Sequence, residues 1–427
     1  NSQMWRDNSA GCWWITLTGL NATKEYAFQY YVGTKSGEKI RLGDAYAEKI
    51  LDPDNDSYIP ASTYTESKTY PESGRGIVSV FKIQKDTYAW KVADFKIKDA
   101  GKLVIYEMLF RDFTATGDIN GAMEKLDYLK ALGVNAIELM PVQEFDGNDS
   151  WGYNPCYYFA FDKAYGTRQM YKAFIDACHQ KGMAVILDVV YNHVYNAANH
   201  SFNKTVPGYY FRYDDNGSLV NDSGCGNDTA SERAMMRKYI VDSVTYWAKN
   251  YNIDGFRFDL MGLIDTKTMQ EVRAALDKID PSIIVLGEGW DMNSTMDKSE
   301  MTIQPNAYQV ASDGTNNGIA FFNDSIRDGL KGSVFSDTDT GFVSGKADQE
   351  SLIAHNVLGC QYDADAITTC WNGNAQDHYA DAGQVVNYAE IHDNMTLYDK
   401  LRKSVPTDDE ATTEARAKLA DSVVYLS

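Results

Sequence analysis

The sequence predicts an α/β fold, a (β/α)8 TIM barrel preceded by a small β-sandwich module, on three observations. The chain has 427 residues, which suits a barrel of about 250 residues with attachments. After about residue 100, apolar runs typical of buried parallel strands alternate with helical patterns. No Gly-x-Gly-x-x-Gly follows a strand-like run, which argues against a dinucleotide-binding sheet.

Residues 1–99 carry the pattern of short strands separated by glycine-containing turns, and we interpret them as a partial β-sandwich domain. Trp13 and Trp14 are interpreted as core residues, since buried aromatic side chains are the commoner case. The acidic loop at 52–56 lacks the spacing of an EF-hand and is interpreted as a turn. The strand-like runs are residues 13–18, 26–32, 78–81 and 88–90.

Residues 100–427 are assigned to the barrel domain, with a polar excursion after the third strand at about 191–230. The last residues, 423–427, are interpreted as the opening of strand eight. We therefore expect the rest of the eighth βα unit and a C-terminal domain to lie outside this sequence. The predicted helices are residues 119–132, 171–182, 231–251 and 266–279. The predicted strands are residues 103–109, 136–141, 184–190, 255–259, 283–286, 319–322 and 385–388.

Composition narrows the classes of partner. The net charge of −20 and the pI of about 4.7 repel phosphate backbones and anionic membranes, which argues against nucleic acid as a partner. No run of 18 apolar residues exists, so no membrane insertion is expected. The 29 tyrosines provide flat aromatic faces that suit a sugar ligand. The six cysteines include no Cys-x-x-Cys motif, and a pairing of Cys360 with Cys370 is left open.

Polar motifs follow four of the predicted strands, where a barrel of this kind carries its chemistry. These motifs are residues 188–193, 257–259, 287–290 and 390–394. Arg257 and Asp259 share one face if they lie on a strand, because side chains alternate along a strand. One such pair alone is more often a buried structural ion pair, and the other three motifs reverse that judgement.

Two facing carboxylates, one ionised and one protonated, are the equipment for glycoside hydrolysis. Arg257 beside Asp259 is predicted to lower the pKa of that carboxyl and to keep it ionised. Glu288 lies between two glycines and close to Trp290, and is predicted to face an apolar wall that favours its protonated form. The two carboxyl groups would lie about 5–5.5 Å apart in an enzyme that retains configuration.

Two histidines, His193 and His392, lie at predicted strand ends beside carboxylates. We interpret them as donors of hydrogen bonds to sugar hydroxyls. A metal site is disfavoured, because neither His-x-x-x-His nor His-Glu-x-x-His occurs in the sequence. The sequence therefore predicts no metal ligands.

As a set, these motifs resemble those of the α-amylase superfamily of glycoside hydrolases (family 13), and in detail those of type I pullulanases and related bacterial debranching enzymes. The likeness covers about residues 100–427. It implies that Asp259 is the nucleophile, Glu288 the general acid/base and Asp393 the carboxylate that stabilises the oxocarbenium-like transition state. The substrate-binding residues that it implies are Tyr153, Asn154, Asp188, His193, Arg257, Trp290, His392 and Asn394.

The resemblance leaves the bond specificity open. Residues 258–262, 287–290 and 392–400 are similar to debranching enzymes, which cleave α-1,6 branch linkages in pullulan, starch or glycogen fragments. By contrast, residues 161–166 are similar to α-1,4-acting amylases, and Ile391 stands where debranching enzymes carry serine. The alternatives are an α-1,4-acting amylase or neopullulanase and, in another class, a non-catalytic glucan-binding protein. The intact carboxylates argue against the last alternative.

The resemblance also has implications for cofactors, partners and location. Met261 and Gly262 stand where calcium-binding amylases carry a Lys-His pair, so no cofactor is expected to be required, and structural calcium is assigned to no residues. Residues 44–47 are similar to a stretch of the starch- and glycogen-associated sandwich. We expect an α-glucan polysaccharide or oligosaccharide as the partner. We favour an extracellular or cell-surface location over a cytoplasmic one, because polymeric glucans lie outside cells.

Overall fold

The computed structural model of the chain describes residues 2–292, 294–314, 317–361 and 378–427. Its strands are β1 (Trp5–Asp7), β2 (Cys12–Trp14), β3 (Glu25–Phe28), β4 (Tyr30–Gly33), β5 (Lys39–Leu42), β6 (Ile50–Leu51), β7 (Val78–Lys82), β8 (Ile105–Met108), β9 (Ala136–Leu139), β10 (Gln143–Phe145), β11 (Pro155–Phe161), β12 (Ala184–Val189), β13 (Gly255–Phe258), β14 (Ile284–Gly287), β15 (Ala320–Phe322) and β16 (Val385–Val386). Its helices are α1 (Phe110–Phe113), α2 (Ile119–Glu124), α3 (Leu126–Ala131), α4 (Arg168–Gln180), α5 (Ser201–Thr205), α6 (Ala234–Tyr251), α7 (Thr266–Asp277), α8 (Asp324–Lys331), α9 (Glu350–Val357), α10 (Leu397–Ser404) and α11 (Glu410–Tyr425).

In the described residues, seven strands form one parallel sheet in the spatial order β8, β9, β12, β13, β14, β15, β16. This order follows the sequence, as successive right-handed β–helix–β units require. Every residue of β12 and β13 is buried, which is typical of a parallel sheet covered on both faces. Ile105 of β8 and Val386 of β16 pack against the same apolar cluster although they lie on the two edge strands. The sheet therefore curls into a half-barrel, which confirms the α/β class, while closure by an eighth strand stays a prediction.

The predicted barrel strands all occur in the structure, with ends displaced by one or two residues. The helix predicted at 119–132 is instead two helices, α2 and α3, divided at Lys125. Lys125 has φ −101° and ψ 0°, and its N–H donates to the carbonyls of Ala122 and Met123, which tightens the chain into a turn. The apolar periodicity continues through this turn, so periodicity alone did not reveal the division.

The C-terminal segment is the helix α11 and not the opening of strand eight. Asp409 caps this helix by accepting a hydrogen bond from the Thr412 backbone N–H. Ala420 is fully buried, and Val423 and Val424 pack against the apolar cluster that α8 and α10 form. The prediction was wrong because a short apolar run does not distinguish the last turn of a helix from a strand.

The N-terminal region contains three small antiparallel sheets within the described residues, β1–β2, β3–β7–β6 and β4–β5. The strand predicted at 26–32 is divided at Gln29, whose side-chain amide donates to two carbonyls farther along the chain. Residues 88–90, which are described in full, do not form the predicted strand, because this segment is tied to α4 by hydrogen bonds to Asp176. A sandwich arrangement of the three sheets stays a prediction.

Trp13 and Trp14 lie on the two-stranded ribbon β1–β2 and are exposed over 58% and 51% of their surface. Among the described strands, β1 and β2 pair only with each other, and all three residues of β2 are exposed. Trp14 pairs with Trp5 across the ribbon, and the Arg6 guanidinium lies 5.9 Å from the centre of the Trp13 ring. The interpretation of Trp13 and Trp14 as core residues is therefore wrong.

The hairpin β10–β11 connects the N-terminal region to the barrel domain. Buried Lys163 forms ion pairs with Asp56, which follows β6, and with Glu144 of β10. The side chain of Asn148, in the hairpin loop, donates to a backbone carbonyl in the segment after β6. The N-terminal region therefore supports the hairpin loop, which also contains Tyr153.

Candidate active site

Three neighbouring strands of the curled sheet bring polar side chains to one place. Asp188 of β12 and Arg257 of β13 are register partners, so both side chains point to the same side of the sheet. Asp259 comes directly after β13, and Glu288 comes directly after β14. All four side chains are buried. They therefore meet at the C-terminal rim of the sheet, where barrels of this type carry their active sites.

The Arg257 guanidinium lies at the centre of this group. Its Nη1 is 3.1 Å from Asp188 Oδ2 and 3.2 Å from Asp259 Oδ1. Its Nη2 is 3.0 Å from Glu288 Oε1. One planar cation thus contacts three carboxylates and fixes their positions relative to one another.

The Asp259 carboxyl is harder to ionise than the sequence predicts. Burial raises its pKa to about 6, and the negative charge of Glu288 adds to the rise. Arg257 and a hydrogen bond from Asn192 oppose the rise. Arg257 therefore acts in the predicted direction, but the net pKa is raised, because the arginine is shared among three buried carboxylates and does not offset the desolvation of Asp259. Asp259 is still mostly ionised at neutral pH.

The Glu288 carboxylate makes two polar contacts, and the apolar wall expected beside it stays a prediction. Its Oε2 accepts a hydrogen bond of 2.9 Å from the Leu260 backbone N–H, and its Oε1 contacts Arg257. Leu260 has the left-handed conformation, with φ 41° and ψ 50°, which is uncommon for a residue other than glycine. The strained backbone directly after Asp259 therefore also supplies the donor that positions Glu288.

A second group of side chains adjoins the first through Asp188. The Tyr153 hydroxyl donates a hydrogen bond of 2.5 Å to Asp188 Oδ2. Its ring stacks on His392 with the ring centres 4.9 Å apart. The Arg257 guanidinium lies 6.0 Å from the centre of the Tyr153 ring. Burial raises the pKa of Asp188 to about 7, with Arg257 opposing the rise and Asp259 adding to it. Asp188 thus titrates near neutral pH.

Glu107 of β8 holds His392, and the sequence reasoning missed this residue. One carboxylate oxygen accepts a hydrogen bond from the His392 backbone N–H and the other accepts one from Nδ1, both at 2.6 Å. Burial acts to lower the pKa of His392, but the hydrogen bond and the charge of Glu107 raise it to about 9. A charged residue inside the apolar run 103–109 is the sequence signal that marks Glu107.

Comparison with known proteins agrees with this geometry. Residues 104–223 match the family model described as the alpha amylase catalytic domain. A pullulanase of Bacillus subtilis is 37% identical over 357 residues, which cover 80% of this chain and 48% of that protein. The chain belongs to the α-amylase superfamily. The family assignment made from the motifs is therefore confirmed.

Solved structures within the superfamily share the fold. The crystal structure of a type I pullulanase from Bacillus subtilis complexed with maltose has a TM-score of 0.84 and 31% sequence identity, over 99% of this chain and 58% of that chain. A mutant pullulanase from Paenibacillus barengoltzii complexed with maltotetraose has a TM-score of 0.82 and 31% identity, over 99% and 65% of the two chains. The chain spans between about a third and a half of the length of the curated relatives it matches.

Two predicted substrate-binding residues make their contacts within the protein. The ring nitrogens of His193 lie 2.8 Å from the Tyr153 carbonyl oxygen and 2.7 Å from Asn192 Oδ1. The side chain of Asn154 bonds to a carbonyl and a hydroxyl of its own loop. His193 and Asn154 therefore hold the wall that carries Tyr153, and their contacts with sugar stay predictions.

Asp393, Asn394 and Trp290 are more accessible than the buried carboxylates. The Asp393 side chain is 56% exposed, and its Oδ1 lies 3.6 Å from His392 Nε2. Asn394 is exposed and has a left-handed φ of 66°. Trp290 is half-buried, and the Arg327 guanidinium lies 6.0 Å from the centre of its ring. Asp393 thus differs from Asp259 and Glu288 in being open to solvent.

Glu138 of β9 is a second carboxyl that the sequence reasoning missed. It is the register partner of Glu107 and is 3% exposed. Burial raises its pKa to about 8, with Glu107 and Asp188 adding to the rise and Arg257 and His392 opposing it. Glu138 therefore lies below the site as a carboxyl that stays protonated at neutral pH.

Glu138→Gln is expected to make folding stability less dependent on pH. The folded pKa of Glu138 lies above the ordinary value of 4.5, so its stabilising contribution is complete below about pH 4.5 and is lost as the pH rises through about 8. The free energy of unfolding of the variant relative to wild type should rise by about 4 kcal/mol between pH 5 and pH 9. Denaturant unfolding at both pH values measures this change, with exposed Glu124→Gln as the control. A difference that stays constant with pH contradicts the prediction.

Residues 2–292, 294–314, 317–361 and 378–427 contain neither a cluster of metal ligands nor a membrane-spanning helix. In those ranges, no group of three or more His, Cys, Asp or Glu side chains is arranged to hold a metal ion. The Asp52 and Asp56 carboxylates accept hydrogen bonds from the backbone of their own loop, as in a turn. Cys370 lies outside the described residues, so its pairing with Cys360 stays open. Of the helices described, none is both long and apolar enough to cross a bilayer.

Proposed function

We propose that this chain is the catalytic part of a retaining glycoside hydrolase that cleaves α-1,6 branch linkages in pullulan, starch or glycogen fragments. The observation that carries the proposal is the pair of buried carboxylates, Asp259 and Glu288, that one arginine holds at the rim of the curled sheet. Two acidic groups fixed on adjacent strand ends are what acid-assisted displacement at an anomeric carbon requires. The similarity to pullulanases supports the choice of the α-1,6 linkage.

The proposed reaction has two displacements. Asp259 attacks the anomeric carbon while Glu288 protonates the glycosidic oxygen, so the bond to the leaving chain breaks as a glycosyl ester on Asp259 forms. Glu288, now ionised, takes a proton from water, whose oxygen attacks the anomeric carbon and releases Asp259. Each displacement inverts the anomeric centre, so the product keeps the α configuration.

The charge balance of the site supports proton transfer by a carboxyl group. Asp188, Asp259 and Glu288 share the single guanidinium of Arg257, so the group favours the uptake of a proton. Asp259 is mostly ionised at neutral pH, which suits attack on the anomeric carbon. Glu288 is given the role of general acid/base because its motif matches the one that carries this role in the family.

The sugar that is cleaved is placed against the stacked rings of Tyr153 and His392. An aromatic face beside a carboxylate suits a sugar, whose C–H groups pack on the ring and whose hydroxyls donate to the oxygens. Asp393 is exposed beside His392 and is assigned the stabilisation of positive charge on the sugar in the transition state. Substrate contacts by Asn154, His193, Trp290 and Asn394 are part of the same proposal.

Product analysis on pullulan tests the proposal. Maltotriose is expected as the sole product, because the α-1,6 bonds of pullulan join maltotriose units. Proton NMR of the first product formed is expected to show the α anomer, since a retaining mechanism inverts the centre twice. A first-formed β anomer would contradict the glycosyl-ester mechanism.

Other products would support the alternatives. Panose from pullulan would indicate α-1,4 cleavage by a neopullulanase. Maltooligosaccharides from amylose, with no product from pullulan, would indicate an amylase, which the sequence of residues 161–166 favours. Binding to glucan without release of reducing sugar would leave only the non-catalytic glucan-binding protein.

We also propose that the reaction requires no cofactor and that it takes place outside the cell or at its surface. The support for the first point is that every group used in the mechanism is a protein side chain or water. The support for the second is the polymeric substrate, which is met outside cells. Structural calcium is not assigned to any of the residues described.

A further inference from the structure

The two edges of the curled sheet approach each other at the candidate active site. β8 and β16 are the edge strands of the sheet in the described residues, and they do not pair with each other. Glu107 lies in β8, and His392 lies in the loop that follows β16. A contact between these two residues therefore joins the first and last strands at the rim where Asp393 is located.

The contact is a double hydrogen bond. Glu107 Oε2 accepts from the His392 backbone N–H, and Glu107 Oε1 accepts from His392 Nδ1, each at 2.6 Å. The two side chains are 18% and 8% exposed. A carboxylate that binds both the main chain and the ring of one residue fixes the path of the loop and the direction of the ring together.

The direction of the ring matters for the site. With Nδ1 committed to Glu107, the other ring nitrogen, Nε2, lies 3.6 Å from Asp393 Oδ1. One face of the ring stacks on Tyr153, which itself donates to Asp188. Through His392, Glu107 thus bears on the positions of both Asp393 and Tyr153.

We propose that Glu107 is a positioning residue. It ties the loop that carries His392 and Asp393 to β8, and it directs His392 Nε2 toward Asp393 and the sugar. The expected effect of Glu107 on catalysis rests on the proposed function. Its effect on the position of His392 rests only on the contacts between the two residues. The proposed role explains why a carboxylate occupies a position in an otherwise apolar strand, where an unpaired charge would be costly.

Several charged or titratable groups act on His392 from the elements around it. Glu107 has the largest effect among those that raise its pKa, and the Arg257 guanidinium opposes the charged form. The full set, from β8, β9, the hairpin loop, β12, β13 and the His392 loop itself, is Glu107, Glu138, Tyr153, Asp188, Arg257, Asp259 and Asp393. Glu138 provides a matched comparison, because it is the register partner of Glu107 and, in the part of the chain that the structure describes, it makes no hydrogen bond to His392.

The first test is the titration of His392 by NMR of histidine-labelled protein, with the signal assigned from His392→Gln. In wild type His392 is expected to titrate near pH 9. In Glu107→Gln, which keeps the shape and removes the charge, the pKa of His392 is expected to fall toward about 6.5. Glu107→Asp keeps the charge on a shorter side chain and should give an intermediate value. Glu138→Gln should leave His392 close to its wild-type value.

The second test is steady-state kinetics on pullulan across the pH range. Glu107→Gln is expected to lower kcat by about 10- to 100-fold with little change in KM, because the loss of a hydrogen bond to a charged group is felt in the transition state. The alkaline limb of its pH profile should move to lower pH together with the pKa of His392. Glu107→Asp should have a higher kcat than Glu107→Gln. Glu138→Gln should keep most of the wild-type kcat near pH 6.

The outcomes separate the two proposals. If the wild-type protein releases no sugar, the proposed function is overturned. The titration of His392 then still decides whether Glu107 positions it. An unchanged titration in Glu107→Gln, or an equal loss of kcat in Glu138→Gln, overturns the positioning role. Should Glu107→Gln fail to fold, wild-type His392 titrating below about pH 7 overturns it as well.

Discussion

Asp259→Asn is expected to lower the release of reducing sugar from pullulan by on the order of 10⁴-fold or more, because an amide cannot form the glycosyl ester. The melting temperature is expected to stay at or above the wild-type value. The substitution removes a carboxyl whose charge is unfavourable beside Glu288, and Arg257 still has the Asp188 and Glu288 carboxylates as partners. Rates and thermal melts on the same preparation check both expectations, together with retained binding to glucan.

Asp254→Asn is the matched control. Asp254 comes directly before β13, as Asp259 comes directly after it, and it is buried with hydrogen bonds from His179 and from the Val185 backbone N–H. Its substitution is expected to lower the melting temperature and to leave the rate of sugar release per folded molecule unchanged. Turnover by Asp259→Asn within about tenfold of wild type would remove Asp259 from the role of nucleophile.

Arg257→Met is expected to have the largest effect on stability. It leaves three buried carboxylates, those of Asp188, Asp259 and Glu288, without their shared cation, and breaking a buried ion pair in this way costs about 3–5 kcal/mol. The loss should grow with pH. Without the arginine, the pKa values of Asp188 and Asp259 rise further above their unfolded values, so stability that is present at low pH is lost as the pH rises. Thermal melts at pH 5 and pH 8 measure this dependence.

Arg273→Met is the control for Arg257→Met. Arg273 is also a buried arginine, and it pairs with one carboxylate, that of Asp277, at 2.7 Å. Its substitution is expected to cost less stability and to depend less on pH. Equal and pH-independent losses in the two variants would mean that Arg257 acts through packing and not through its charge.

The N-terminal region and the site are connected more closely than separate domains would suggest. The buried ion pairs of Lys163 with Asp56 and Glu144 join the region after β6 to the hairpin whose loop contains Tyr153. Tyr153 contacts both Asp188 and His392. A change in the packing of the N-terminal region therefore has a direct physical route to the wall of the candidate active site.

Local pattern in the sequence was sufficient for the parallel strands and for the positions of Asp188, Arg257, Asp259 and Glu288. Apolar runs of strand length and the alternation of side chains along a strand depend on near neighbours, and strand ends in a parallel sheet share one rim. The family followed from the same motifs.

Tertiary structure alone decided the features that depend on burial and on distant neighbours. The raised pKa of Asp259 results from its burial and from the nearby charge of Glu288. Neither cause can be read from the residues next to Asp259 in the sequence. The helical state of 423–425 follows from packing against α8 and α10. The exposure of Trp13 depends on how the ribbon β1–β2 is placed relative to the rest of the chain, which its own sequence does not give. The contact of Glu107 with His392 brings together the two edges of a curled sheet, and no local pattern encodes that meeting, because it depends on the curvature of all the strands between them.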